Sequence, residues 1–206
     1  MDRKGVVIVF LNQLLNAVFQ IVLFSLIPLI WWLITAMKKE NFFRWLGMKR
    51  AECASQKNLW ILTGIVLVVC FLVGEFAIWL RGDLAAADSA YKGMGAAALP
   101  SVLAYSYLQT GLSEEILFRG FLLKRMAAKF GFTAANVIQA LIFGALHLTM
   151  VWGRAGLAAG IVITIYPMLP AVAFAYLNEK KAGGSILPSW IIHGTINTFS
   201  ALVTLF

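Results

Sequence analysis

The stretch LSEEILFRGFLLKR, residues 112–125, places two adjacent glutamates and an arginine in a run of Leu, Ile and Phe. The rest of the chain is also apolar, since 61% of its 206 residues are hydrophobic and 13% are charged. A soluble domain carries about a quarter charged residues. Apolar runs long enough to span a bilayer recur along the chain, and no segment alternates apolar and polar residues. The sequence therefore predicts an all-α, polytopic membrane helical bundle.

Six apolar segments predict about six transmembrane helices within a single integral membrane domain, residues 1–206. They cover residues 6–36, 59–80, 99–118, 133–151, 157–178 and 186–206. The first segment also carries four amide side chains near helical spacing, which are Asn12, Gln13, Asn16 and Gln20. We expect these amides to pack against neighbouring helices.

The formal net charge of +8 reflects 17 Lys and Arg residues against 9 acidic ones. These basic residues cluster in short connections between apolar segments, where they set topology and contact anionic headgroups, so we expect no nucleic-acid partner. With the connection 37–58 inside, twelve basic residues are inside, Arg119 among them, and five are outside. The outer five are Arg3, Lys4, Arg81, Lys92 and Arg154. The positive-inside rule therefore predicts an external N-terminus, in what we expect to be a prokaryotic plasma membrane.

Glu114, Glu115 and Arg119 are the charges that need explanation. Residues four apart share a helix face, so Glu115 and Arg119 should pair. Glu114 is rotated by about 100° and is left without a partner on its own helix. Intramembrane ionisable residues are functional candidates, and a glutamate in such a site suits proton transfer. The alternative is that all three lie at the inner surface, with Arg119 extended towards water.

Both histidines of the chain also lie in apolar runs. His147 is in LIFGALHLTM and His193 is in PSWIIHGTINTF, four residues before Asn197. A Glu–His pair can activate water, and a His–Asn pair can donate hydrogen bonds to a developing oxyanion. If these residues converge from separate helices with Glu114, the chemistry that they suit is hydrolysis of an amide bond.

The segments EEILFR, FGALH and HGTIN, in that order, resemble the three motifs of the CPBP family, the CAAX-processing and bacteriocin-processing intramembrane proteases that are also called the ABI family. The resemblance implies that Glu114 and His147 activate the attacking water. It implies that His193 and Asn197 bind the oxyanion, and that Glu115 and Arg119 are supporting residues. All motif residues are present.

The resemblance further implies a glutamate-type endopeptidase that needs no cofactor and no metal. Residues 99–206, the last four segments, would form the catalytic core, and residues 1–98 would add N-terminal helices. The expected partners are membrane lipids and a membrane-associated peptide or protein substrate, with or without a lipid anchor. CAAX-type processing, processing of peptide precursors and bacteriocin self-immunity all remain open as the biological role.

Two other kinds of function remain open at this point. Glu114, His147 and His193 could be the ligands of a zinc hydrolase, although the chain lacks the His-Glu-x-x-His signature. The chain could instead be a non-enzymatic membrane scaffold or immunity protein whose polar residues only join helices. A proton-coupled transporter is less compatible with six spans and no internal repeat.

The depth of the site in the membrane gives a further expectation. A site shared by Glu114 and His147 requires both at one level, which the segment boundaries do not provide. We therefore expect the helix that carries Glu114 to start later than Leu99 and to run on to about Arg125. Glu75, near the outer end of the second segment, is expected to be hydrated near Arg81 and to have no catalytic role.

Overall fold

The computed structural model of the chain describes residues 3–81, 91, 93–153 and 156–205, and the regular elements among them are all helical. The N-terminal half contains α1 (Arg3–Thr35), the short α2 (Phe42–Leu46) and α3 (Gln56–Arg81). The C-terminal half contains α4 (Leu99–Leu103), α5 (Lys124–Phe130), α6 (Phe132–Val151), α7 (Leu157–Tyr176) and α8 (Leu187–Leu205). The predicted all-α fold is confirmed.

Among the described residues, four helices are long and apolar enough to cross a membrane, judged by length and composition. They cover Lys4–Thr35, Gln56–Ala77, Phe132–Thr149 and Leu157–Lys181. The chain is therefore an integral membrane helical bundle. Of the other two predicted spans, 99–118 is helical throughout and 186–206 is helical over Leu187–Leu205, and neither is among these four. Lys92 and Arg154, two of the basic residues assigned to the outer side, lie outside the described residues.

Residues 99–130 form one uninterrupted helix, which we call the central helix. It begins as α4, widens into two π-helical stretches, Ala104–Leu112 and Glu115–Leu123, and ends as α5. Such wide turns are rare and often occur at functional sites. The two stretches flank Glu114, so the backbone on both sides of that residue departs from α-helical geometry.

The boundaries of the central helix confirm one prediction and correct another. The helix does run past Arg125, and it ends at Phe130 because Gly131 turns the chain with φ 79°. The expected late start is wrong, since the helix already begins at Leu99. Pro100 lies in the first turn of this helix. Backbone N–H groups in a first turn have no carbonyl acceptor within the helix, so the N–H that proline lacks is not missed there.

The first π-helical stretch is packed between α8 on one side and α1 on the other. Close approach of α8 depends on small residues, because a Cβ atom on Gly194 would overlap the ring of Tyr107. The second stretch contacts α1, α2 and α6, and α3 packs against α7 and α8. The central helix is thereby enclosed by the segments that carry the two histidines, α6 and α8.

The amide side chains of α1 fix its position along the central helix. Gln13 Nε2 donates to Gln109 Oε1 at 2.5 Å, and Gln109 Nε2 donates to Gln20 Oε1 at 3.1 Å. Gln20 Nε2 in turn donates to the Ser113 hydroxyl at 3.1 Å. The expectation that these amides pack against neighbouring helices is therefore confirmed for Gln13 and Gln20 but wrong for Asn12 and Asn16, which are exposed. The network ends one residue from Glu114.

Candidate active site

Glu115 lies at the centre of a buried polar cluster and is 0% exposed. One carboxylate oxygen lies 3.2 Å from Arg119 Nη1 and 3.2 Å from His193 Nδ1. The other oxygen accepts the hydroxyl of Ser189, which itself accepts Asn178 Nδ2 at 2.7 Å. The expected Glu115–Arg119 pair is confirmed, and a second helix contributes to it.

Arg119 is also 0% exposed, so the alternative in which it extends to the inner surface is wrong, and it does not belong to the inner connection. Its guanidinium lies 4.6 Å from the ring centroid of Phe143 and 5.4 Å from that of Phe174. None of its nitrogens makes a hydrogen bond of good geometry to the described residues. Charge attraction to Glu115 and two aromatic faces therefore hold this cation in place.

His193 lies between the two glutamates. Its Nδ1 atom faces Glu115 Oε1 at 3.2 Å, and its Nε2 atom faces Glu114 Oε2 at 3.6 Å. The ring also contacts the Phe174 ring, at 6.0 Å between centroids. Because both nitrogens face carboxylates, the ring has a defined orientation and can exchange a proton with either side.

Glu114 is 7% exposed, and its Oε2 atom is buried without a hydrogen-bond donor among the described residues. His193 Nε2 is near this oxygen, but beyond normal hydrogen-bond length. The prediction that Glu114 lacks a partner on its own helix agrees with these contacts. A buried carboxylate oxygen without a donor is uncommon in folded proteins, and it leaves Glu114 able to accept a proton.

His147 approaches the cluster through Phe143. Its Nδ1 atom lies 2.8 Å from the Phe143 carbonyl oxygen, four residues earlier on α6, so Nδ1 carries the donated proton and Nε2 keeps the basic lone pair. The His147 ring lies 4.7 Å from the Phe143 ring, and His193 lies 6.3 Å from that same ring, between centroids. The Phe143 ring is therefore in contact with both histidine rings.

Asn197 joins the central helix one turn away from His193. Its Nδ2 atom donates to the Thr110 hydroxyl at 2.8 Å. Thr110 is four residues before Glu114, and Asn197 is four residues after His193. The two helices thus meet at two adjacent points, the close approach of Glu114 to His193 and the hydrogen bond between Thr110 and Asn197, so the Asn197 amide lies one helical turn from the cluster.

Sequence reasoning missed several residues of the cluster. Ser189 and Asn178 are both 0% exposed and support Glu115 from α8 and from the turn after α7. Ser189 lies four residues before His193, so its position on the same helix face was a usable signal. The roles of Thr110 and Phe174 had no such signal, because they depend on which helices cross.

The metal-ligand alternative can be compared with the arrangement of side chains. Within the part of the chain that the structure describes, no three His, Cys, Asp or Glu residues lie in an arrangement that could hold a metal ion. Glu114 and His193 are adjacent, and the Nδ1 hydrogen bond of His147 to a backbone carbonyl leaves its Nε2 atom free. This bond is compatible with an acid–base cluster and with a zinc ligand alike, and the effect of a metal chelator on activity separates the two.

Comparison with known proteins adds an independent finding. A family model described as type II CAAX prenyl endopeptidase Rce1-like matches residues 96–199, which is half of the chain. This range contains Glu114, His147, His193 and Asn197. No curated protein and no solved structure is significantly similar to the chain.

Proposed function

The chain belongs to the family of Rce1-like type II CAAX prenyl endopeptidases, and from this premise we propose that it hydrolyses a peptide bond near the C-terminus of a membrane-associated substrate, using water activated by Glu114 and His147. The observation that carries the proposal is the buried Oε2 atom of Glu114, which has no hydrogen-bond donor among the described residues and lies 3.6 Å from His193 Nε2. Such a carboxylate is suited to take a proton from water.

In the proposed reaction the water donates a hydrogen bond to Nε2 of His147 and gives its other proton to the Glu114 carboxylate, while the water oxygen attacks the scissile carbonyl carbon. The carbonyl oxygen becomes an oxyanion. The C–N bond then breaks, and the proton passes to the leaving amine. The products are a new carboxyl terminus and a released peptide with a free amino group.

His193 and Asn197 would stabilise the oxyanion. The Asn197 amide uses one N–H for Thr110 and has a second to offer. His193 can donate a hydrogen bond from Nδ1 to the Glu115 carboxylate. In its doubly protonated form it can also donate a hydrogen bond from Nε2 to the substrate. Two preorganised donors at the position where charge develops are the usual means of lowering this barrier.

The remaining features of the proposal concern the cellular setting. Residues 99–206 would form the catalytic core, with residues 1–98 as N-terminal helices. The charge distribution supports an external N-terminus, and the membrane that we propose is a prokaryotic plasma membrane, so that substrate and water would approach from the cytoplasmic side. The proposed reaction requires no cofactor or metal. The family supports CAAX-type processing over bacteriocin self-immunity as the role.

The test uses the full chain purified in lipid nanodiscs. The substrate is a fluorescence-quenched peptide that ends in a farnesylated cysteine followed by three residues, with the unprenylated peptide as its matched control. We expect release of the C-terminal peptide, identified by mass spectrometry, and activity that persists in 1,10-phenanthroline. Loss of activity in the chelator, restored by zinc, would favour the zinc hydrolase instead. Failure to cleave either peptide would contradict the proposed function.

A further inference from the structure

Thr110 makes a contact that no motif of the sequence marks. Its hydroxyl donates to the backbone carbonyls of Tyr105 or Ser106, at 3.1 and 3.3 Å, and accepts Asn197 Nδ2 at 2.8 Å. Thr110 lies one turn before Glu114 and within the first π-helical stretch. The contact therefore ties a residue of the proposed oxyanion site to the helix that carries the proposed base.

The main-chain carbonyls near Thr110 explain why its hydroxyl accepts from Asn197 and does not donate to it. In an α-helix a threonine hydroxyl reaches carbonyls three or four residues earlier. Here it also reaches the carbonyl five residues earlier, Tyr105. Since main-chain carbonyls take its only proton, the hydroxyl has lone pairs alone to offer to another side chain. The Asn197 amide must then turn its NH₂ group, and not its oxygen, towards Thr110.

We propose that Thr110 is a positioning residue, which holds the Asn197 amide in the one orientation whose second N–H can serve the oxyanion. The inference rests on the proposed function of the site. An asparagine amide has nearly the same shape after a 180° rotation, and the rotated form would turn an acceptor oxygen towards a negative charge. The Thr110 hydroxyl distinguishes the two forms, because only one of them donates to it.

A purely structural role for Thr110 makes a different prediction. If the Thr110–Asn197 bond only joins the central helix to α8, its loss should lower thermal stability and leave the turnover of each folded molecule unchanged. If Thr110 orients Asn197, its loss should lower kcat, with KM nearly constant, because the oxyanion forms only after the substrate has bound.

The experiment compares three variants with the wild type on the farnesylated peptide, in nanodiscs. Thr110→Val keeps the shape of the side chain and removes the hydroxyl, whereas Thr110→Ser keeps the hydroxyl. The matched control is Thr198→Val, at the position after Asn197. The Thr198 hydroxyl donates to the Gly194 carbonyl of its own helix at 2.7 Å. We expect Thr110→Val to lower kcat about tenfold, less than the loss of a whole oxyanion donor. Thr110→Ser and Thr198→Val should remain within about twofold of the wild type.

Asn197→Ala separates failure of this inference from failure of the proposed function. In the Asn197→Ala background, Thr110→Val should have no further effect on kcat, because the group that it orients is gone. If Asn197→Ala lowers kcat but Thr110→Val does not, or if Thr110→Ser fails to restore activity, the positioning role is wrong and the proposed function stands. If the wild type and Asn197→Ala cleave equally well, the proposed oxyanion role is itself wrong.

Discussion

The Oε2 atom of Glu114 lies 3.6 Å from the Nε2 atom of His193, with the second ring nitrogen of His193 facing Glu115. The imidazole therefore lies between the proposed base and the buried Glu115–Arg119 pair. A carboxylate and an imidazole side by side are suited to accept a proton from water and return it to a leaving group.

His147→Ala is expected to abolish peptide cleavage while the protein still inserts and purifies. The reason is that the Phe143 carbonyl fixes the tautomer of His147, leaving Nε2 as its basic atom. The matched control is Leu146→Ala, the preceding residue, which is 42% exposed. Initial rates on the farnesylated peptide are the measurement. Equal rates for His147→Ala and Leu146→Ala would remove His147 from the mechanism.

Glu115 and Arg119 are expected to be energetically coupled. Removal of either partner leaves a buried charge without compensation, which costs about 3–5 kcal/mol, whereas replacement of both by apolar residues costs less. The variants are Glu115→Leu, Arg119→Met and the combination of the two, and the measurement is the free energy of unfolding in detergent. A combined variant whose loss of stability equals the sum of the two single losses would show that the pair is not coupled.

Ser189→Ala is expected to destabilise the protein by about 1–3 kcal/mol, because it removes a donor from the fully buried carboxylate of Glu115. Ser106→Ala is the matched control. Ser106 is also 0% exposed, but its hydroxyl has no hydrogen-bond partner among the described residues. Its removal should be neutral or slightly stabilising. Thermal unfolding of the two variants side by side tests this difference, and equal shifts would mean that the Ser189 hydroxyl does not support Glu115.

Contacts within one helix could be predicted from the sequence, whereas contacts between helices could not. Helical spacing alone correctly paired Glu115 with Arg119, because residues four apart meet whatever the rest of the fold does. The contact between Glu114 and His193 depends on how α8 crosses the central helix, and spacing within one segment carries no information on that crossing. The motif resemblance supplied the connection between these two helices instead.

The start and shape of the central helix were also beyond the sequence. The expected late start came from assigning regular α-helical rise to every residue, whereas two π-helical stretches flank Glu114. Nothing in the residues around Thr110 signals a widened turn, and the helices that pack against this stretch, α1 and α8, come from distant parts of the sequence. Ser189 escaped notice because a small hydroxyl in an apolar run is more often a helix contact than part of a site.

The measurement that bears most directly on the site is kcat/KM of Glu114→Gln on the farnesylated peptide, with Glu75→Gln as its control. Both substitutions remove an acid from an apolar segment and keep its size, but Glu75 is half-buried on α3 and has no proposed role. The expected result is a loss on the order of 10³-fold for Glu114→Gln, the range that a general base contributes, with Glu75→Gln close to the wild type. A Glu114→Gln protein that cleaves within about threefold of the wild-type rate would contradict the assignment of Glu114 as the base, as would an equal loss in both variants.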